Sequence, residues 1–291
     1  MTIKNLFIKS ALLFSITLSL LGCTPSSHKA AEKEFEEIIS RNKAVGLAVV
    51  AVKDGKVIYN NTFGYRDLSA QERWERDDVL RIASISKSFT ATAILQLVEQ
   101  NKLNLDADVS EIMGFQIRNP HYPDTPITVR MLLSHTSSMS DANGYFSFDY
   151  LNRETSPTWE KAWNKYAPGT NYQYCNLGFN TLGAIIEKIS GVRFDQYISE
   201  NILRPLGVYA NHNVHSLDSG KFVKIYTYSR RDSSFKCTTS AYELAEDALE
   251  NYKLGYSTTL FSPTGGLKIS AQDLAKVMMM HMNMGSIDGV K

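Results

Sequence analysis

Cysteine is scarce in this sequence, which has three among its 291 residues: Cys23, Cys175 and Cys237. Three cysteines in a chain of this size do not form the disulfide framework of a small secreted protein. Cys175 and Cys237 could pair with each other outside the cytoplasm, but the simpler expectation is that both are small, buried hydrophobic side chains.

An excess of charge of either sign is also missing. Lysine and arginine together number 31, and aspartate and glutamate number 30, so nothing indicates binding to nucleic acid. The six histidines lack the spacing of metal ligands, and no glycine-rich phosphate loop, repeat or low-complexity tract occurs. We therefore expect neither a metal nor a cofactor. Hydrophobic residues make up 43% of the chain, enough for one large domain or two interlocked ones.

An apolar run long enough to cross a membrane is missing near the N-terminus. Residues 10–21 are apolar and follow Lys4 and Lys9. At about 1.5 Å per residue, this run is far shorter than the roughly 30 Å bilayer core. A positive start followed by a short apolar run is typical of a signal peptide, which we place at residues 1–22.

The end of this run resembles a bacterial lipobox. Its residues are Leu20-Leu21-Gly22-Cys23, with a small glycine directly before the cysteine. The resemblance predicts a lipid on Cys23, followed by a polar tether over residues 23–30. The protein would then be exported and held by this lipid anchor in the membrane of the cell envelope, on the periplasmic or outer-membrane side in a Gram-negative host. An ordinary signal peptide with an incidental cysteine is the alternative.

The hydrophobic pattern predicts an α+β fold. Strands at residues 45–52 and 56–63 flank Asp54-Gly55, a pair that favours a tight hairpin turn. The first strand is almost entirely apolar, so we expect it to be buried on both faces. Helices are predicted at residues 31–40, 85–100, 128–133, 176–190, 194–203 and 271–284. Strands first and helices later suggest a helical region set into a sheet domain.

The S-x-x-K spacing alone is a weak signal, since it occurs at Ser26, Ser40, Ser84 and Ser233. Ser84 differs because it opens the predicted helix 85–100, where free N–H groups and the helix dipole favour an ionising hydroxyl and a developing oxyanion. Lys87 follows on an apolar stripe of that helix, where loss of hydration would let it act as a base near neutral pH. A lysine that extends from the first turn into solvent is the alternative.

Five segments extend this pattern: RIASISKSFTATAIL, ITVRMLLSHTSSM, YQYCNLGFNTLGAIIEKISG, ILRPLGV and FSPTGGLKISAQDLAKVMMMHMN. Their order and spacing resemble those of the serine β-lactamase-related family, which includes class C β-lactamases, D-Ala-D-Ala carboxypeptidases, D-aminopeptidases and esterases. The resemblance extends from about residue 31 to the end of the sequence. It implies a β-lactamase/transpeptidase-like fold, in which an antiparallel sheet flanked by helices (about residues 31–68 and 262–291) carries a mostly helical inserted domain (about residues 69–261).

The resemblance also implies roles for particular residues. Ser84 matches the acylated serine, Lys87 the lysine of S-x-x-K, and Tyr174 and Asn176 the Y-x-N motif. Tyr174 and Lys87 would share the proton of the nucleophile, and Asn176 would contact the substrate amide and help to hold the lysine. His135 matches a segment that supports the fold, so we interpret it as structural.

A third family motif, K-T-G or H-x-G on a strand after the last segment, has no match here. We therefore expect a C-terminally incomplete chain whose native frame continues past Lys291 with the remaining strands. The expected function is that of an exported serine hydrolase that forms an acyl-Ser84 intermediate from a small molecule or peptide resembling the cell wall: a D-Ala peptide, a β-lactam or an ester. A non-catalytic or decayed envelope protein that binds cell-wall peptides without turnover is the alternative.

Overall fold

The computed structural model describes residues 25–287, 289 and 290. Its first element is helix α1 (Pro25–Asn42), so the tether expected over residues 23–30 is helical from Pro25 onward, and the helix expected over residues 31–40 is longer than its pattern indicated. The signal peptide predicted at residues 1–22 and the lipidation site predicted at Cys23 lie outside the described residues.

Six further helices follow, and most lie where the pattern predicts them. They are α2 (Ser86–Glu99), α3 (Val109–Met113), α4 (Val129–Leu133), α5 (Asn176–Ser190), α6 (Phe194–Ile198) and α7 (Ala271–Met282). Helix α5 ends at Gly191, whose φ of 71° allows the left-handed conformation of a C-cap. The helix predicted over residues 194–203 is α-helical as far as Ile198 and continues as the π-helical turn Ser199–Leu203.

The predicted hairpin is confirmed. Strands β1 (Gly46–Lys53) and β2 (Lys56–Asp67) pair in antiparallel register, with Gly46 opposite Gly64. The turn residues Asp54 and Gly55 both have positive φ, 51° and 69°, as a tight type I′ turn requires.

The expectation that β1 is buried on both faces is wrong. Residues Gly46 to Val52 are all half-buried, although their side chains are almost entirely apolar. Helices α1 and α7 contact this strand, but they cover none of these residues completely.

The other strands are short, and every pairing within these sheets is antiparallel. They are β3 (Glu72–Arg73), β4 (Leu80–Arg81), β5 (Ala210–Asn211), β6 (Ile225–Ser229), β7 (Ser234–Thr238) and β8 (Lys268–Ile269). Strand β8 is the centre of the three-stranded sheet β4-β8-β5. Strands β6 and β7 form a surface hairpin that exposes Cys237, so the expectation that this cysteine is buried is wrong.

Helix α5 is the centre of the helical part, because it contacts α2, α3, α4 and α6. Helices α2 and α5 bury large apolar side chains against each other and their neighbours: Phe89, Ile94, Leu97, Leu182, Ile185 and Ile186. Burying a side chain of this size contributes about 1.5–3 kcal/mol. Within the described residues, no helix has the length and apolarity needed to span a lipid bilayer.

A buried carboxylate joins α5 to two other segments. Glu187 is fully buried, and its Oε1 accepts hydrogen bonds from the backbone N–H of Phe194 and the hydroxyl of Tyr252. Its Oε2 accepts from the backbone N–H of Gly255 and the hydroxyl of Thr258. Burial and the adjacent carboxylate raise the pKa of Tyr252. Glu187 therefore ties the start of α6 and residues 252–258 to the central helix.

Candidate active site

Ser84 lies in a tight turn at the start of α2. A 3₁₀ turn spans Ala83–Ile85, and the α-helix follows from Ser86. Ala83 has a φ of 46°, a left-handed conformation that is uncommon for a residue with a Cβ atom. The turn leaves Ser84 exposed at the helix start, where backbone N–H groups have no acceptor within the helix. Ser84 thus has the position that the sequence predicts.

Strand β8 and the residue before it fix this turn from the side. The backbone N–H of Ile82 donates to the carbonyl of Leu267 at 3.0 Å. The backbone N–H of Leu267 in turn donates to Oγ of Ser86 at 3.1 Å. Because these bonds lie on both sides of Ser84 in the sequence, they fix its backbone to the segment that leads into β8.

Lys87 lies directly behind Ser84 and is 7% exposed. Its Nζ donates to Ser84 Oγ at 3.3 Å, to Asn176 Oδ1 at 2.9 Å and to the carbonyl oxygen of Thr264 at 2.8 Å. An ammonium group has three N–H donors, so these three acceptors satisfy it fully. The alternative of a lysine that extends into solvent is therefore wrong.

Tyr174 is the second side chain that contacts Ser84 Oγ. Its hydroxyl donates to Ser84 Oγ at 2.8 Å, and its ring lies with its centroid 4.8 Å from Lys87 Nζ. The side chains of Ser84, Lys87 and Tyr174 therefore form one connected group, as the sequence predicts.

His135 supports this arrangement without contacting Ser84. Its ring packs on the ring of Tyr174, with 4.5 Å between centroids, and its Nδ1 accepts from the backbone N–H of Cys175 at 3.1 Å. Burial, together with the positive charge of Lys87, lowers the pKa of His135, which favours the neutral ring that this acceptor role needs. The histidine positions Tyr174, in agreement with its structural interpretation.

Asn176 is the first residue of α5 and connects Lys87 to an acid that the sequence analysis missed. Its Oδ1 accepts from Lys87, while its Nδ2 donates to Asp141 at 2.9 Å. Asp141 also accepts from the backbone N–H groups of Asn176 and Leu177, both at 2.9 Å. It therefore caps α5 in place of a local side chain. No local sequence signal marks it, because the helix that it caps begins 35 residues later.

Cys175 is buried between these groups. Burial and the nearby Asp141 carboxylate raise the pKa of its thiol to about 12. A thiol in this state is a poor nucleophile, so Cys175 behaves as the buried side chain that the sequence predicts.

The loop Ser262 to Gly266, for which the sequence predicted no role, completes the site. The hydroxyl of Thr264 donates to Asn176 Oδ1 at 2.7 Å, in addition to the carbonyl contact with Lys87. Gly266 makes the loop possible, since a Cβ atom there would lie 2.1 Å from the carbonyl oxygen of Phe261. Through Thr264, the loop thus fixes the side chains of Lys87 and Asn176 in position next to each other.

Comparisons with known proteins agree with this geometry. The family model described as Beta-lactamase matches residues 31–289. Protein flp of Staphylococcus aureus (strain N315) is 28% identical over 187 residues, 63% of this chain and 38% of that protein. Penicillin-binding protein 4* of Bacillus subtilis (strain 168) is 27% identical over 191 residues, 63% of this chain and 41% of that protein. The octameric penicillin-binding protein homologue from Pyrococcus abyssi is similar with a TM-score of 0.70, at 27% identity, covering 89% of this chain and 57% of that chain.

The chain therefore spans less than two thirds of each of these three relatives. The match to the family model nevertheless covers almost all of the described residues, and the fold is of the β-lactamase/transpeptidase type. This chain belongs to the β-lactamase family, a family of serine hydrolases that includes penicillin-binding proteins.

Proposed function

We propose that this chain is a serine hydrolase that forms a covalent acyl intermediate on Ser84. One observation carries the proposal: Ser84 Oγ lies 2.8 Å from the hydroxyl of Tyr174 and 3.3 Å from Nζ of Lys87. A serine hydroxyl is a weak nucleophile and needs an adjacent group that takes its proton. Both neighbours are at or near hydrogen-bonding distance for that transfer.

The contacts of Lys87 suit a proton relay. Two of its acceptors, Asn176 Oδ1 and the carbonyl of Thr264, have no proton to give and fix two N–H directions. The third direction points at Ser84 Oγ: as an ammonium, Nζ donates a hydrogen bond there, and as a neutral amine it can accept the proton. Tyr174 can receive the proton of Ser84 once its own hydroxyl has lost its proton, and the adjacent lysine charge then stabilises the phenolate that accepts it.

In the proposed reaction, the Tyr174–Lys87 pair starts with one of its two groups deprotonated, either as the phenolate or as the neutral amine. Ser84 Oγ attacks the substrate carbonyl carbon as its proton moves to that group. The resulting oxyanion is stabilised by backbone N–H groups at the start of α2. When the tetrahedral intermediate collapses, the proton passes to the leaving group and the acyl group remains on Ser84. Water then attacks the ester carbonyl, and Ser84 Oγ regains a proton as the acid is released.

The substrates that we propose are cell-wall-like D-Ala peptides, β-lactams or esters. Support comes from the names of two relatives, which are penicillin-binding proteins, and from the family match. The exposed rings of Tyr172 and Phe146, near the site, offer apolar surface for such a substrate.

We also propose that the protein is exported and anchored in the cell envelope through a lipid on Cys23. The support is the sequence alone: a short apolar run that ends in Leu-Leu-Gly-Cys. Replacing Cys23 with alanine should move the protein from the membrane fraction to the soluble fraction or leave it unprocessed. An intact mass that shows an unmodified Cys23 would remove this part of the proposal.

The test of the hydrolase proposal is covalent labelling. A fluorophosphonate or fluorescent penicillin should label the full chain, and peptide mapping should place the label on Ser84. Ser84→Ala should abolish labelling, whereas Ser233→Ala, a serine with the same S-x-x-K spacing on the surface, should leave it unchanged. Labelling that persists in Ser84→Ala would show that another residue is the nucleophile.

A further inference from the structure

Methionine is concentrated at the end of helix α7. Five of the nine methionines in the sequence lie within residues 278–284, and His281 lies among them. Met280 is 8% exposed and packs in the hydrophobic core, where methionine commonly fills irregular gaps. Met278 and Met282 are different, because they are 47% and 61% exposed. Core packing therefore does not account for these two thioethers.

The two exposed methionines and a histidine share one face of the helix. Met278, His281 and Met282 occupy positions i, i+3 and i+4 of α7, and all three are exposed. Side chains with this spacing are neighbours on a helix surface, with about 5–6 Å between their Cβ atoms. Because methionine has three rotatable side-chain bonds, two sulfur atoms and one imidazole nitrogen can reach a single ion above this face.

The electrostatics of this face suit a cation. His281 lies in the last turn of α7, where the negative end of the helix dipole favours positive charge. The lysine of this helix, Lys276, makes its contacts elsewhere: its Nζ pairs with Asp273 at 2.8 Å and donates to the carbonyl of Gly207 at 2.9 Å. Residues two positions apart on a helix do not face each other, so Lys276 leaves the face of Met278 free for an ion.

The donor atoms select the class of ion. Within the part of the chain that the structure describes, no three histidine, cysteine, aspartate or glutamate side chains lie together as metal ligands. The α7 face offers thioether sulfur and imidazole nitrogen instead. Thioethers are soft ligands that favour Cu(I), and imidazole also binds copper, whereas Ca²⁺ and Mg²⁺ require oxygen ligands. The histidine spacing that predicts no metal site takes no account of thioether sulfur.

We propose that Met278, His281 and Met282 form a surface site that binds Cu(I) through two sulfur atoms and one imidazole nitrogen. Binding leaves the oxidation state of the ion unchanged. The three residues are separate from the group of side chains around Ser84, so the inference does not depend on the proposed acylation.

The probe for this site is Ag(I), which has the same charge as Cu(I), also prefers thioether ligands and is not oxidised in air. Thiols must first be blocked, because thiolates bind soft ions more strongly than thioethers do. Treating the full chain with N-ethylmaleimide blocks the exposed thiol of Cys237. The buried Cys175, whose thiol has a pKa raised to about 12, stays protonated and does not compete for the ion.

Methyl NMR shows binding at individual methionines. In the full chain with ¹³C-labelled methionine methyl groups, silver nitrate should shift the signals of Met278 and Met282. The signals of Met113 and Met139, which are buried in the core, should stay in place and serve as internal references. Zn(II) at the same concentration should shift neither exposed methionine, because it binds thiolate, imidazole and carboxylate groups.

Matched variants locate the site. Met278→Leu and Met282→Leu keep the size and apolarity of the side chain, so both should fold. Each should weaken Ag(I) binding by at least ~10-fold, the lower end of the cost of losing even a second-shell partner. Met279→Leu makes the same change at a half-buried position and should leave the affinity unchanged. Calorimetric titration measures these affinities, and anaerobic competition with bicinchoninate measures them for Cu(I).

Three results would each overturn the site. The first is a wild-type chain in which Ag(I) leaves the Met278 and Met282 methyl signals in place, a result that depends on no variant. The second is equal affinity of Met278→Leu and Met279→Leu, because binding would then not involve this face. The third is Ag(I) binding without any uptake of Cu(I) in competition with bicinchoninate.

Discussion

The hydroxyl of Tyr174 donates a hydrogen bond of 2.8 Å to Oγ of Ser84, shorter than the 3.3 Å between that oxygen and Nζ of Lys87. Tyr174→Phe keeps the ring against His135 and removes only the hydroxyl. We expect it to slow labelling of Ser84 by ~10² or more, the scale for losing a proton-transfer partner. Time courses with a fluorophosphonate measure this rate.

Tyr172→Phe is the matched control for this prediction. Tyr172 is 63% exposed and contacts His135 from its edge, but it does not contact Ser84. The control should label at close to the wild-type rate. If Tyr174→Phe labels as fast as Tyr172→Phe, the tyrosine has no part in the proton transfer.

Asp141 should affect stability and acylation together. Asp141→Ala leaves two backbone N–H groups and the Asn176 amide without their acceptor, and losing such a cap costs about 1–2 kcal/mol. Because Asn176 also holds Lys87, labelling should slow as well. Asp149→Ala removes an exposed carboxylate from a nearby turn and should change neither Tm nor rate. A variant Asp141→Ala with lower Tm and full labelling would limit the residue to helix capping.

Gly266→Ala should disrupt the loop that holds Lys87. The new Cβ atom would lie 2.1 Å from the carbonyl of Phe261, so the backbone must move, at a cost of about 1–3 kcal/mol. Gly265→Ala is the matched control for stability, because its nearest contacts of 3.6–3.7 Å with Ala83 are ordinary van der Waals distances. Thermal unfolding should show a lower Tm for Gly266→Ala and an unchanged Tm for Gly265→Ala. Equal Tm values for the two variants would mean that the loop backbone can shift to accommodate the new Cβ atom at little cost.

His212 should make the fold sensitive to acid. It is buried with both ring nitrogens lacking hydrogen-bond partners, and burial, with the charge of Lys268, lowers its pKa to about 3. The unfolded chain takes up a proton below about pH 6.5, whereas the folded chain does not until about pH 3, so stability falls as pH falls through this window. At pH 5 the loss reaches about 2 kcal/mol.

His212→Leu should remove this part of the pH dependence. Its free energy of unfolding should fall less than that of the wild type between pH 8 and pH 5, measured by denaturant titration. His281→Gln changes an exposed histidine on α7 and should follow the wild-type curve. Parallel curves for His212→Leu and the wild type would show that the buried ring does not titrate in this range.

Local patterns predicted the parts of the fold that depend on neighbouring residues. The positive-φ turn at Asp54-Gly55 follows from the chemistry of two adjacent residues. The burial of β1 did not follow, because the number of elements that contact a strand is a tertiary property. The exposure of Cys237 was missed for the same reason.

The same distinction between local and long-range features applies to the candidate site. The resemblance identified Ser84, Lys87, Tyr174 and Asn176, and the structure brings these four together. It did not identify Asp141, or the carbonyl of Thr264, because both act across long sequence separations and one of them through its backbone. A side chain that caps a distant helix leaves no periodic signal, so only the folded chain shows it.

The buried carboxylate of Glu187 has a consequence for how the molecule opens. Residues 252–258 cannot detach without leaving a charged, unsolvated oxygen behind, and α6 cannot shift without breaking the bond to Phe194. These segments should therefore open as one cooperative unit, with amide hydrogens that exchange at a common rate.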